Sequence, residues 1–136
     1  MSIIPENFLD ILQSKAIAYV ATIGPKGEPQ VSPILFGWDG SSLFFSTNKI
    51  RQKHRNAVRE PRIAVAITDP TNRFRSIEIR GVARVEEDVD FHFANILSQK
   101  YINQDATSNK QPEEERVTIF IEPERVFVFP FEEGKK

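Results

Sequence analysis

The chain has 136 residues, which at roughly 100 to 200 residues per domain makes a single domain, 1–136, able to bury about two thirds of its unfolded surface. With 40% hydrophobic and 27% charged residues it is neither a disordered chain, a collagen nor a disulfide-rich miniprotein, and the absence of cysteine excludes disulfides, thiolate zinc sites and thiol nucleophiles. Eighteen Lys and Arg against 19 Asp and Glu leave a net charge of -1, so no global field draws the protein to nucleic acid or an anionic membrane, and any anion site must be local.

Met1 runs into Ser-Ile-Ile-Pro-Glu without a basic leader, and no apolar run reaches the roughly 18 residues of a membrane span. A soluble, cytoplasmic protein is expected. Residues 6–14 predict a short helix with Phe8, Leu9, Ile11 and Leu12 on one side and Pro5 in its first turn. Residues 16–23 predict a strand that is apolar on both alternating faces and so buried on both. Gly24-Pro25-Lys26-Gly27 is then a tight turn into a second arm, 30–38. Asp39-Gly40 is the strongest hairpin signal in the chain and leads to a third strand, 42–47, so three antiparallel strands are expected to open the fold.

A short helix over 51–60 ends before Pro61. Alternation at Ile63, Val65 and Ile67 and at Ile77 and Ile79 predicts two more strands around the turn Asp69-Pro70-Thr71-Asn72. Glu86 to Asp88 read as the opening of a helix with Val89, Phe93, Ile96 and Leu97 in one stripe and Asp88 as its cap. The segment 103–115 is polar and loop-like. Val117, Ile119 and Ile121 begin a last pair of strands, broken at Pro123 and resumed over 126–129. The expectation is a mainly β fold: a closed or nearly closed barrel of six or more mostly antiparallel strands with small helices in its gaps.

Six of the 18 basic residues (Lys49, Arg51, Lys53, Arg55, Arg59 and Arg62) fall in one stretch with a single acid, Glu60. Cations at a helix N-terminus oppose the macrodipole, and a bound anion reverses the sign. Free N–H groups, Ser46, Thr47 or Asn48, and Arg51 and Lys53 converging there are what a phosphate requires. The stretch also reads as a solvated face around a helix packed through Ile50, Ala57 and Val58, and both readings stand at this stage. A nucleic-acid site is disfavoured because the patch is short and lacks interleaved aromatics. His54 and His92 read as surface or packing residues, no metal ligand set is spaced in the sequence, and no nucleophile with its base is recognisable. Any enzyme chemistry is therefore expected to come from a cofactor, for which a phosphate-bearing group fits the patch.

The ordered set Ala21 to Pro33, Phe45-Ser46-Thr47, Arg51 to Asn56, Glu60-Pro61-Arg62 and Ile77 to Gly81 resembles the pyridoxamine 5'-phosphate oxidase-like split β-barrel family over nearly the whole chain. It is most similar to the short members that use the deazaflavin coenzyme factor 420. The resemblance implies a homodimer with the cofactor, deazaflavin or FMN, at the interface. It places phosphate binding on Arg51 and Lys53, with Ser46, Thr47 and Asn56 in support and Arg55 and Arg59 toward a longer coenzyme tail. Gln30, Val31, Ser32 and Pro33 would lie against the ring. No counterpart of the C-terminal substrate contacts of full-length pyridoxamine oxidases is expected, so vitamin B6 oxidation is not implied. The implied activity is hydride transfer to or from a small organic substrate, with a non-catalytic carrier or storage protein for the same ligand as the alternative.

Overall fold

The computed structural model describes residues 3–106 and 114–130. Two hairpins form as their turns demand. Strands β1 (Ala18–Ile23) and β2 (Pro29–Ile34) pair antiparallel across a turn in which Gly27 has φ +81, a conformation that favours glycine. Strands β3 (Gly37–Trp38) and β4 (Leu43–Asn48) pair across Asp39-Gly40, where the Asp39 carboxylate accepts the N–H groups of Ser41 and Ser42 at 2.9 and 2.7 Å. These strands do not make the expected three-stranded opening. Ile34 and Gly37 are separated by Phe36, which leaves the sheet for the core and is fully buried, its N–H donating to the Tyr101 hydroxyl at 3.3 Å. The second arm is thereby cut in two, and its halves go to opposite edges of the sheet.

The remaining strands are β5 (Arg62–Asp69), β6 (Asn72–Glu87) and β7 (Arg116–Phe129), and the sheet runs β2-β1-β5-β6-β7-β4-β3, all antiparallel and curled into a half-barrel. The expected break at Pro123 is a bulge inside one continuous strand. Arg80 pairs with Arg125 and Gly81 with Pro123, leaving Glu124 as the extra residue, so the missing proline N–H falls where the ladder is already interrupted. Gly81 is required there, since a Cβ would lie 1.9 Å from the Glu122 carbonyl oxygen.

Glu86 and Glu87 belong to β6, paired with Thr118 and Val117, and do not open a helix. Helix α3 (His92–Ile102) starts only after a turn over Val89–Phe91 in which Asp90 and Phe91 have φ of 54 and 58. Asp88 caps it as expected, accepting the N–H groups of Phe93 and Ala94 at 2.9 Å each. The backbone break rotates the helix, so Phe91, Ala94 and Leu97 are buried while Val89 and Ile96 of the expected stripe are exposed. At the other end of the chain, a 3-10 turn (Glu6–Phe8) and helix α1 (Leu9–Leu12) occupy the predicted N-terminal helix, burying Phe8, Ile11 and Leu12.

The sheet has two packed regions. Its concave side holds Val20, Phe45, Val65, Ile79, Ile119 and Ile121 in the main core with Phe36 and α1, each large apolar side chain contributing about 1.5 to 3 kcal/mol. Behind β4 and β7, Phe44, Phe120, Phe93 and Leu97 form a smaller cluster under α3, with ring centroids 5.2 to 5.8 Å apart. Elsewhere no described residue covers the convex side. Strand β1 is therefore buried on one face only: Ala18, Val20 and Thr22 are buried, but Tyr19 is 52% exposed.

Candidate functional site

Alternation in β4 sends Leu43, Phe45 and Thr47 into the main core and Ser46 to the side where α3 docks. The chain then turns, the Arg51 N–H donating to the Asn48 carbonyl at 3.2 Å, and helix α2 (Gln52–Arg59) begins. Among the described residues no side chain caps its start, and with the His54 N–H given to the Arg51 carbonyl at 3.2 Å, those of Gln52 and Lys53 are left for an anion. Ser46 and Lys53 reach a cleft of about 310 Å³, walled by Pro33, Ile34 and Leu35 at the end of β2 and by Phe91, Leu97 and Ile102 from the α3 side. Glu114 and Arg116 complete it from the start of β7.

One end of this cleft is cationic. Burial, followed by the charges of Arg51 and Arg116, holds the Lys53 ammonium below its ordinary value. Arg116 Nη1 lies 3.4 Å from Ser46 Oγ, and Arg116 Nε forms an ion pair with Glu114. Apart from Glu114, the groups at this end are a hydroxyl, an ammonium, guanidinium groups and open backbone N–H groups, a donor set that fits a phosphate. The chain's single strongly basic stretch thus divides: Lys49 is paired with Glu87 and Glu115, Arg62 with Glu60, and Arg59 binds the Ile23 carbonyl, while Lys53 faces the cleft. The expected apolar face of α2 is not packed, since Ile50 and Val58 are 78% and 62% exposed; the helix docks through Ala57 and an amide.

That amide is Asn56, with 0% exposure. Its Nδ2 donates to Thr22 Oγ1 at 3.1 Å and to Gln30 Oε1 at 2.7 Å, and its Oδ1 accepts from Gln52 Nε2 at 2.8 Å and Arg59 Nη2 at 3.3 Å. Asn56 therefore holds α2 to β1 and β2 from behind the cleft. Arg55 bonds locally, to the Ile50 carbonyl at 2.6 Å and Gln52 Oε1 at 2.5 Å. Gln30 and Ser32 are half-buried, whereas Val31 and Pro33 are exposed on the opposite face; β2 is an edge strand, where Pro29 and Pro33 are tolerated and one side of the backbone is unpaired.

Of the candidate residues, Pro33, Ser46 and Lys53 meet in the cleft, with Arg51 beside Lys53; Thr47 and Asn56 are interior, and Arg55, Gln30, Val31 and Ser32 do not line it. Sequence reasoning missed Arg116 and Glu114. They reach Lys53 and Ser46 only because β7 pairs with β4, Arg116 opposite Asn48, and no local pattern announces that pairing. His54 Nδ1 lies 3.3 Å from the Lys49 carbonyl oxygen and His92 packs edge-on to Phe93, as packing and surface residues do. Among the described residues no three His, Asp or Glu gather as a metal site, and no helix is long and apolar enough to cross a membrane.

On the convex face, β-sheet register sets Val31 beside Ala21, and Pro33, Tyr19, Ala66, Glu78 and Phe127 in one row. Val31 is 68% and Phe129 50% exposed. Phe127 carries the Arg80 and Arg125 guanidinium groups at 4.5 and 5.3 Å from its ring. The sequence places Phe44, Phe127, Phe129 and Phe131 on strands where a subunit contact is expected; Phe44 is instead buried beneath α3, and Phe131 lies outside the described residues.

A mainly β half-barrel with a cationic, donor-lined cleft between an edge strand, a short helix start and a docked helix defines a small split-barrel protein. The chain belongs to the pyridoxamine 5'-phosphate oxidase family, which it matches over residues 4–129. Among solved structures it is similar to an F420 reductase, with a TM-score of 0.81 and 31% identity, covering 90% of this chain and 98% of that one. General Stress Protein 26 from Bacillus anthracis shares the fold at TM-score 0.71 and 22% identity, covering 93% and 94% of the two chains. A heme binding protein from Mycobacterium smegmatis shares it at 0.69 and 20%, covering 87% of this chain and 50% of that one. A search among curated protein sequences gives no match.

Proposed function

We propose that the protein is an oxidoreductase that holds a deazaflavin coenzyme or FMN by its phosphate and exchanges hydride with a small organic substrate. The observation that carries this reading is the convergence of Ser46, Lys53 and the end of β2 on one cleft, with Arg51 beside Lys53. The family match and the likeness to an F420 reductase support it. Bound there, the ring would supply the hydride chemistry. The chain's own part is to bind and orient. Lys53, Arg51 and the first turn of α2 take the phosphate, with Thr47 and Asn56 fixing those elements from the interior. The edge-strand segment Gln30, Val31, Ser32 and Pro33 would lie against the ring through the unpaired side of its backbone, and Arg55 would serve a longer tail.

In the same reading the exposed apolar side chains of the convex face, Tyr19, Val31, Ala66 and Phe129, are covered by a second copy, with the cofactor at the interface, and the protein works in the cytoplasm. Absorbance titration of the purified protein with FMN and with the deazaflavin coenzyme tests it. Tight binding of one, followed by acceptor-dependent oxidation of the reduced coenzyme faster than in free solution, is the expected result. Binding without turnover over a broad acceptor panel identifies a carrier, and binding of neither refutes the reading.

A further inference from the structure

Glu114 places a carboxylate inside the cationic end of the cleft. Its side chain is 9% exposed and forms an ion pair with Arg116 Nε, while the neighbouring Glu115 is turned to Lys49, which it shares with Glu87. Strand register fixes Arg116 there: it stands opposite Asn48 in the β4–β7 ladder, with Nη1 3.4 Å from Ser46 Oγ. Three cations, Arg51, Lys53 and Arg116, therefore meet one acid in a partly desolvated corner. The Arg116 guanidinium is half-buried, and Glu114 supplies it with a counter-ion within the chain.

We propose that Arg116 is a further anion-binding residue of the cleft and that Glu114 is its resident counter-ion, displaced from the guanidinium when the phosphate of an organic ligand enters. The proposal rests on the phosphate reading of the cleft above. Carboxylate and phosphate oxygens accept from the same guanidinium N–H groups, so the two anions compete for one partner. A phosphate monoester has the advantage of about two negative charges at neutral pH against one, and three cations to receive them. Glu114 therefore lowers the apparent affinity by the fraction of molecules in which it holds Arg116. That makes it a specificity device as well: an anion too weak to replace a carboxylate is turned away.

Inorganic phosphate is the probe, titrated by NMR into the wild-type protein, Glu114→Gln, Arg116→Ala and the double variant. Glu114→Gln is expected to tighten phosphate binding about three- to tenfold and Arg116→Ala to weaken it about tenfold. In the double variant the gain from Glu114→Gln should vanish, because the competition is for Arg116. Arg116→Lys keeps the charge without the planar fork and should fall between wild type and Arg116→Ala, which secures the test should the alanine variant fold poorly. An unchanged affinity in Arg116→Ala and Arg116→Lys, or a Glu114→Gln gain kept in full without Arg116, overturns the proposal. FMN and the deazaflavin coenzyme are titrated into the same proteins. Phosphate behaving as expected while neither coenzyme binds refutes the cofactor reading alone; coenzyme binding indifferent to both substitutions refutes the exchange alone.

Discussion

Asn56 Nδ2 donates to Gln30 Oε1 at 2.7 Å, and through that one buried amide the start of α2 and the edge strand β2 are held in register with each other. The two parts of the cleft, a cationic end on α2 and an apolar wall ending β2, thus depend on a contact between residues 26 positions apart in sequence.

Asn56→Ala leaves Thr22 Oγ1 and Gln30 Oε1 without their shared donor in the interior, which predicts a loss of about 1 to 3 kcal/mol. Urea denaturation should show a lower midpoint at an unchanged slope. A variant as stable as wild type would mean that α2 is held by Ala57 packing alone.

Lys53→Ala should weaken coenzyme binding by about 1.5 to 3 kcal/mol, the usual worth of a charge-assisted hydrogen bond, and Arg51→Ala by a similar amount. Arg55 already bonds the Ile50 carbonyl and Gln52, so Arg55→Ala should change FMN binding little, its effect being confined to a coenzyme with a longer anionic tail. Absorbance titration of the three variants with both coenzymes checks the order.

For the convex face, sedimentation at micromolar concentration should give twice the chain mass. Tyr19→Glu places a charge between Pro33 and Ala66 on this face and should shift the protein to monomer with an unchanged far-UV circular dichroism spectrum, the urea midpoint losing only its dependence on protein concentration. A wild-type protein that sediments as a monomer would leave this face free in solution.

Acid should loosen the N-terminus first. Arg75 hydrogen-bonds Asp10 at 2.8 Å and Asp69 at 2.9 Å and stacks 4.6 Å from the Phe8 ring, tying α1 to the β5–β6 turn. The Arg75 guanidinium holds the Asp10 carboxyl below its ordinary 3.8, and the Thr71 N–H, followed by Arg75, holds Asp69 below it too. Both groups bind protons more weakly when folded. Their stabilisation is complete above the ordinary value of 3.8 and is lost as pH falls through the lower folded values. Melting temperature followed from pH 6 downward should decline below about pH 4, and Arg75→Met should flatten that decline.

Local chemistry carried much of the fold. The turns at Gly24 to Gly27, Asp39-Gly40 and Asp69 to Asn72, the end of α2 before Pro61 and the cap at Asp88 all depend on backbone freedom, a fixed proline φ or a short-range carboxylate bond, and each formed where those residues stand. Periodicity also placed the dry and wet faces of β6, with Ile77 and Ile79 buried and Arg80 exposed. The basic stretch at 49–62 was visible as an anomaly, although charge pattern alone did not separate a phosphate site from a solvated face.

What the tertiary structure decided was which segments meet. Phe36 left its strand for the core and so sent β2 and β3 to opposite edges. The left-handed backbone at Asp90 and Phe91 set which face of α3 is buried, and β7 ran through Pro123 because Gly81 let its partner approach. The pairing of β7 with β4 brought Arg116 and Glu114, more than 60 residues from Lys53, into its cleft. Hydrogen-bonded turns and helix caps act over a few residues and are written in adjacent letters. Strand order and the gathering of like charges at one end of a cleft arise from burial shared across the whole chain, and no window of sequence contains them.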